Sequence, residues 1–415
     1  MELDAISIRS RFPALSRTLD GRSVIWADGP GGTQVPESVI DAMSGFLRRG
    51  GSNHGGFFEA SRDSDEVHRE ARSALADFLG ASSHDEIAFG QNMTSLTFAV
   101  SRALARTWDR SSEVVVTSLD HDANVTPWVM AAADSGATVR KVDVDPSNAT
   151  LDMDSMESII GPNTRLVAVT AASNASGSLV DVHRVVEMAH AVGAIAYVDA
   201  VHLAPHRTID VVALGCDFLV ASAYKFFGPH TGVLYGTYDR LNQFDTYKVR
   251  PAPELPPEKW ETGTQSFESL AGLIATIEYW ADLGERVSRS AGATLNRRDR
   301  LVAATAATSA YERGLARRFL DGVGGLPRVK VHGITEGDLT DRTPTFALAV
   351  AGRHPDEVAA NLGAQGIFVW SGNYYAVEIM EALGREDTGG LVRIGFVHYN
   401  SAAEVDRFLE ALAAL

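Results

Sequence analysis

Apolar positions change their spacing along this chain, and each change marks a different kind of element. From about residue 38, Val39, Ile40, Met43, Phe46 and Leu47 recur at helical spacing, and the run Asp-Gly-Pro-Gly-Gly-Thr at 28–33 reads as a loop before them. That helix is expected to pack on a sheet. Between 85 and 235, short β-branched runs at 113–119, 165–171, 194–200 and 218–224 alternate with helix-length amphipathic segments such as 180–192. Such alternation predicts crossover units and a mostly parallel, doubly wound sheet, with ligands gathered at the carboxyl ends of its strands. Prolines 251, 253, 256 and 257 suggest an extended crossing segment over 250–262, followed by a helix with Leu273, Ile274, Ile277 and Trp280 on one side. A long helical stretch, roughly 285–320, precedes strand candidates at 329–332, 345–350, 367–370 and 391–397, with helices at 355–364 and 402–414. This second set reads as a smaller α/β domain. No internal repeat or low-complexity tract is evident.

Composition narrows the functional classes. The 415 residues are enough for two or three domain-sized units, and 45% hydrophobic with 22% charged residues is ordinary for a globular protein. A net charge of −16 repels polyanions, which argues against nucleic acid as a partner. No basic-then-apolar N-terminal segment and no run of 18 apolar residues is seen, so neither export nor a membrane span is expected, and the location expected is cytosolic. The single cysteine, Cys216, excludes an intrachain disulfide and a multi-cysteine metal site.

Chemistry concentrates where strand-like runs end. Lys225 follows a strand, and an Asp-x-x-His pair, Asp199 and His202, lies 26 residues before it. Pyridoxal phosphate requires an amine for its aldehyde, an acid facing its pyridinium nitrogen and hydroxyls for its phosphate, and these stretches can supply all three. Ser222 can donate to a phosphate. Met93, Thr94 and Ser95 open a helix through Leu96, Phe98 and Ala99, so they form either an anion site at a helix N-terminus or an ordinary cap. His121, after another strand, can stack on a flat cofactor or serve as a hydrogen-bonded structural histidine.

These separated motifs, in this order, resemble a class V aminotransferase of fold type I, nearest to the group II cysteine desulfurase and selenocysteine lyase branch. The resemblance runs from Phe12 through Tyr399 and Asn400 to the final helix. It implies a 1–22 arm packing with a small domain, a 23–285 cofactor domain and a 286–415 small domain. By position, Lys225 resembles the lysine that bonds the coenzyme aldehyde, Asp199 the pyridinium partner, and His121 the stacking ring. His202 takes the place that reaches the coenzyme's phenolic oxygen, and Ser222 a phosphate contact. Met93 and Thr94 stand where relatives have a Thr-Thr pair, so one phosphate hydroxyl is lost and backbone amides would serve. Thr264, after Gly263, resembles the element that reaches the opposite subunit's phosphate, which implies a homodimer with shared sites. Asn174 and Arg393 resemble the substrate-carboxylate residues, so an α-amino acid is the implied substrate. His54 falls in a loop that borders the active site in relatives.

The pattern departs from relatives at two places. Tyr375, in the run Trp-Ser-Gly-Asn-Tyr-Tyr at 370–375, stands where a desulfurase carries its persulfide cysteine, and Tyr224 replaces the histidine before the lysine. Cys216 reads as a core residue. The expectation is a C–S lyase that eliminates the β-substituent of an S-substituted cysteine, with Lys225 moving the α-proton and Tyr374 or Tyr375 as acid, steering group or packing over the pocket mouth. Transamination, epimerisation and decarboxylation use the same coenzyme site, and a non-catalytic scaffold is the reading of another class.

Overall fold

The computed structural model describes residues 3–288 and 295–415. Seven strands build its larger sheet: β1 (Ile87–Gly90), β2 (Glu113–Thr117), β3 (Thr138–Val142), β4 (Thr164–Thr170), β5 (Ile195–Asp199), β6 (Phe218–Ser222) and β7 (Gly232–Gly236). Their order is β1-β7-β6-β5-β4-β2-β3, and β7 alone runs against its neighbours. Strands buried on both faces must be apolar at every position, which is why they read as continuous Val, Ala and Leu runs. Val198, Leu219 and Val233 turn to one face, while Tyr197, Val220 and Leu234 turn to the other. The carboxyl ends of β4, β5 and β6 bring Thr170, Asp199 and Ser222 to one edge.

A second, antiparallel sheet combines β8 (Val329–His332), β9 (Thr345–Val350), β10 (Trp370–Gly372) and β11 (Leu391–Gly395) in the order β8-β9-β11-β10. Phe319 and Phe408, from the helices Arg297–Val323 and Ala402–Ala413, cover it by packing on its Phe346 and on Phe396 just after β11. The N-terminal segment spans both parts. Arg9 reaches the Tyr399 carbonyl (2.6 Å) and Glu404, Arg11 pairs with Asp282 (2.6 Å), and Ile25–Trp26 pairs in parallel with Ile367–Phe368.

Four expectations are corrected. The helix Glu37–Arg49 packs on the helix Phe267–Ser288 instead of on a sheet, and Ile40 and Leu47 stay exposed because only the face carrying Val39, Met43 and Phe46 meets the chain. The stretch at 285–320 belongs to two helices, Phe267–Ser288 and Arg297–Val323, the second capped by Asn296 accepting from the Asp299 N–H; residues 289–294 lie outside the described residues. The run at 367–370 divides between two sheets at Val369. Strand β6 ends at Ser222, and a 3-10 turn over Ala223–Lys225 carries the lysine out of the sheet.

Candidate active site

A cavity of about 1140 Å³ opens at the carboxyl edge of the large sheet and is roofed by residues from the smaller one. It lies where a doubly wound sheet is expected to take ligands. Lys225, Asp199, His202, Ser222, His121, Met93, Thr94, Asn174, Arg393, Tyr374 and Tyr375 all line it. His54 and Thr264 do not. His54 sits on an exposed loop with its ring 6.0 Å from that of His68, and Thr264 is exposed just after Gly263 (φ +77°).

Lys225 is the centre of this arrangement. Its Nζ donates to the carbonyl of Pro30 (2.5 Å), in the 3-10 turn Gly29–Gly31. Burial pulls its pKa down to about 7, the Arg393 cation pushes the same way, and Asp199 and Asp28 oppose. Much of the amine is therefore neutral near pH 7. Asp199, 3% exposed at the end of β5, accepts from the Val201 N–H (2.8 Å). Burial raises its pKa to about 6 against that hydrogen bond and the Lys225 cation, so a cation placed beside it would restore the carboxylate.

The turn before His121 is fixed by a second buried acid. Asp120 accepts from Thr117 Oγ1 and from Asn124 Nδ2 (2.7 Å), and burial raises it to about 8, so it is mainly protonated at neutral pH. His121 Nδ1 accepts from the Ala123 N–H (3.0 Å), which fixes the ring's plane. Burial, then Lys225 and Arg393, push His121 down to about 4, leaving a neutral ring suited to stacking. Tyr375 lies on it, centroids 5.5 Å apart and 18° between planes. His202 Nε2 pairs with Thr343 Oγ1 (3.1 Å), and its burial holds it well below the usual imidazole range.

At another side of the cavity, the helix Met93–Ala105 begins against β6. Ser222 Oγ accepts from the Met93 N–H (3.0 Å), and the Asn92 side chain caps the helix by accepting from the Ser95 N–H (2.9 Å). The approach requires Gly232, where an added Cβ would collide with the backbone of Asn92. Met93 turns its side chain into the core, so it offers only its backbone here. A helix N-terminus with adjacent hydroxyls favours an anion.

Arg393 lies mid-strand in β11, 6% exposed, with no carboxylate paired to it among the described residues. Its Nη1 donates to the Asn174 carbonyl (3.1 Å), its guanidinium lies 4.5 Å from the Tyr374 ring centroid, and its Nε has no partner. Burial lowers its pKa to about 10. The Asn174 side chain donates to the Tyr374 carbonyl (3.0 Å), while its Oδ1 is buried and unpartnered. A buried cation with an idle N–H is costly unless an anion joins it.

Several residues escaped the sequence reading. Asp28 is raised to about 6 by burial and has an unpartnered Oδ1, yet the sequence shows only a turn residue; its bridge to Gly395, 367 positions away, brings it near Arg393 and Lys225. His230 stacks face to face on Tyr224, the residue that replaces the histidine before the lysine, at the cavity wall (4.7 Å, 8°), and Trp370 stands at its rim. Cys216 is 1% exposed, pushed up to about 12 by burial, and is not among the lining residues.

A buried amine with a lowered pKa, a buried acid open to a cation and a helix-terminal anion cradle fit pyridoxal phosphate. Lys225 would hold its aldehyde, Asp199 its ring nitrogen, and Ser222 with the Met93–Thr94 turn its phosphate. This architecture and donor set are those of pyridoxal phosphate proteins of fold type I. The aminotransferase class-V family model matches residues 25–301 and 302–408, and the chain belongs to that family. A probable cysteine desulfurase of Mycolicibacterium paratuberculosis is 32% identical over 99% of this chain, which spans 58% of that relative's length. An uncharacterized protein of Mycobacterium tuberculosis is 31% identical, with all of both chains covered. The apo cysteine desulfurase of Thermococcus onnurineus superposes with a TM-score of 0.85 at 28% identity, covering 100% of this chain and 98% of its own. Among the described residues, no helix is long and apolar enough to cross a membrane.

Proposed function

We propose that this enzyme is a C–S lyase that converts an S-substituted cysteine and water to a thiol, pyruvate and ammonium. The observation that carries this reading is that Lys225, Asp199 and Arg393 share one cavity from which the chain's sole thiol is absent. A desulfurase needs a thiol beside its substrate's sulfur, whereas elimination needs only a base at the α-carbon. Tyr375, at the family's cysteine position, carries no nucleophilic sulfur.

Pyridoxal phosphate, when bound, supplies an electron sink for charge developing at the substrate α-carbon. Arg393 holds the substrate carboxylate through its free N–H groups, assisted by Asn174. Lys225, neutral near pH 7, takes the proton from the α-carbon as the bond from the β-carbon to sulfur breaks, and the sulfur leaves with its electron pair. Asp199 would keep the ring nitrogen protonated, and His121, neutral, would stack on the ring. His202, lining the cavity, would lie toward the phenolic oxygen. Thr264, being exposed, would serve the opposite subunit's site in a homodimer.

A substrate screen tests the reading. S-substituted cysteines and ordinary amino acids are incubated with the holoenzyme while pyruvate, other keto acids and α-proton exchange are scored together. Pyruvate with one equivalent of thiol from thioethers supports the lyase. Keto acid formed in step with amination of an acceptor overturns it in favour of transamination, and proton exchange without product indicates epimerisation. A visible cofactor band unmoved by every amino acid favours a scaffold.

A further inference from the structure

Two large aromatic side chains stand open at the rim of the cavity, Trp370 at 54% and Tyr375 at 71% exposure. Trp370 is the cross-strand neighbour of Arg393, so both side chains leave the same face of the second sheet. Its indole lies against Gly31, where any Cβ would overlap the indole nitrogen, and Gly31 directly follows the Pro30 whose carbonyl receives Lys225 Nζ. Trp370 thus shares the sheet face of Arg393 and packs on the turn whose Pro30 carbonyl receives Lys225.

Tyr375 is held as firmly. Tyr374 and Tyr375 occupy consecutive left-handed conformations (φ +55° and +58°), each costing about 1 kcal/mol or more. Their carbonyls are fixed from two directions: Asn174 Nδ2 donates to that of Tyr374 (3.0 Å) and the Asp122 N–H to that of Tyr375 (2.7 Å). This fixed backbone places the Tyr375 ring against His121, centroids 5.5 Å apart.

The charges around the cavity leave no cation free for an anionic substituent. Its charged lining residues are Asp122, Asp199, Lys225 and Arg393. Asp122 already accepts from Thr126 Oγ1 (2.9 Å), and the other three serve the cofactor and the α-carboxylate. A second carboxylate on the ligand would enter unpaired, whereas an apolar group would cover exposed aromatic surface.

We propose that Trp370 and Tyr375 form a subsite for a large apolar substituent, aromatic by preference, on the substrate's side chain. This rests on the reading of the cavity as an amino-acid site, but not on which bond is broken. Calorimetric titration of the holoenzyme with two sulfur-free amino acids separates the two ideas: 2-amino-4-phenylbutanoate carries the aromatic group, and 2-aminobutanoate lacks it.

The phenyl compound is expected to bind at least tenfold more tightly. Trp370→Ala should shrink that preference below threefold while moving the 2-aminobutanoate dissociation constant less than twofold, and Gly31→Ala, which displaces the indole, should do the same. If both compounds bind wild-type enzyme within threefold of each other, or if Trp370→Ala keeps the preference, the subsite is refuted and the amino-acid reading stands. If neither binds, the amino-acid reading fails and the subsite with it.

Discussion

The lowered pKa of Lys225 gives a direct test of the site as built. An amine titrating near 7 is about half neutral at pH 7, against roughly 0.03% for an ordinary lysine, about a thousandfold difference in the reactive form. Burial is the largest cause, because the ammonium loses hydration in the cavity, and Arg393 adds repulsion of the same sign. Asp199 and Asp28 draw the value upward. Competitive acetylation of the apoprotein over a range of pH, read by mass spectrometry on the peptide containing Lys225, measures this midpoint without the cofactor's own titration. It is expected near 7. Arg393→Gln should raise it and Asp28→Asn should lower it, each by less than the shift that burial alone maintains. A midpoint above about 9, where lysines approach their ordinary behaviour, would refute the argument. So would movement of either variant in the opposite direction.

Asp199 should trade stability for function. Its folded pKa is raised from 3.8 to about 6, so the folded state binds more protons in that window and stability falls as pH rises through it, by about 3 kcal/mol in all. Asp199→Asn should therefore raise the apoprotein's melting temperature at pH 7.5, change it little at pH 3.5, and reduce turnover by about 10² or more; a melting temperature unchanged at both pH values would contradict this. Cys216→Ala should keep turnover within twofold, and a folded but inactive variant, checked by circular dichroism, would restore the thiol to the mechanism. Tyr375→Phe should retain activity, while Tyr375→Ala, losing a ring pair contributing about 0.5–1.5 kcal/mol, should lower kcat/KM roughly three- to tenfold. Equal losses in the two variants would assign chemistry to the hydroxyl instead of the ring.

Local order along the chain reveals the parts that depend on near neighbours. Strands β4, β5 and β6 were legible because burial on both faces forces unbroken apolar runs, and Asp199, Ser222 and Lys225 were legible because they terminate or follow those runs. The helix Glu59–Leu79 was not, because its inward stripe is begun by Ser61, Ser64 and His68, polar residues that mask the helical period until Ala71 and Leu75 continue it. Which distant residues share the cavity follows from the folded arrangement alone. Asp28 joins through a bridge to Gly395, Trp370 through its register with Arg393, and Pro30 through a single carbonyl. Proximity of this kind leaves no periodic trace. The same holds for the titration of Lys225, Asp120 and Asp199, since their pKa values are set by loss of water and by charges brought close in space, and folding alone supplies both.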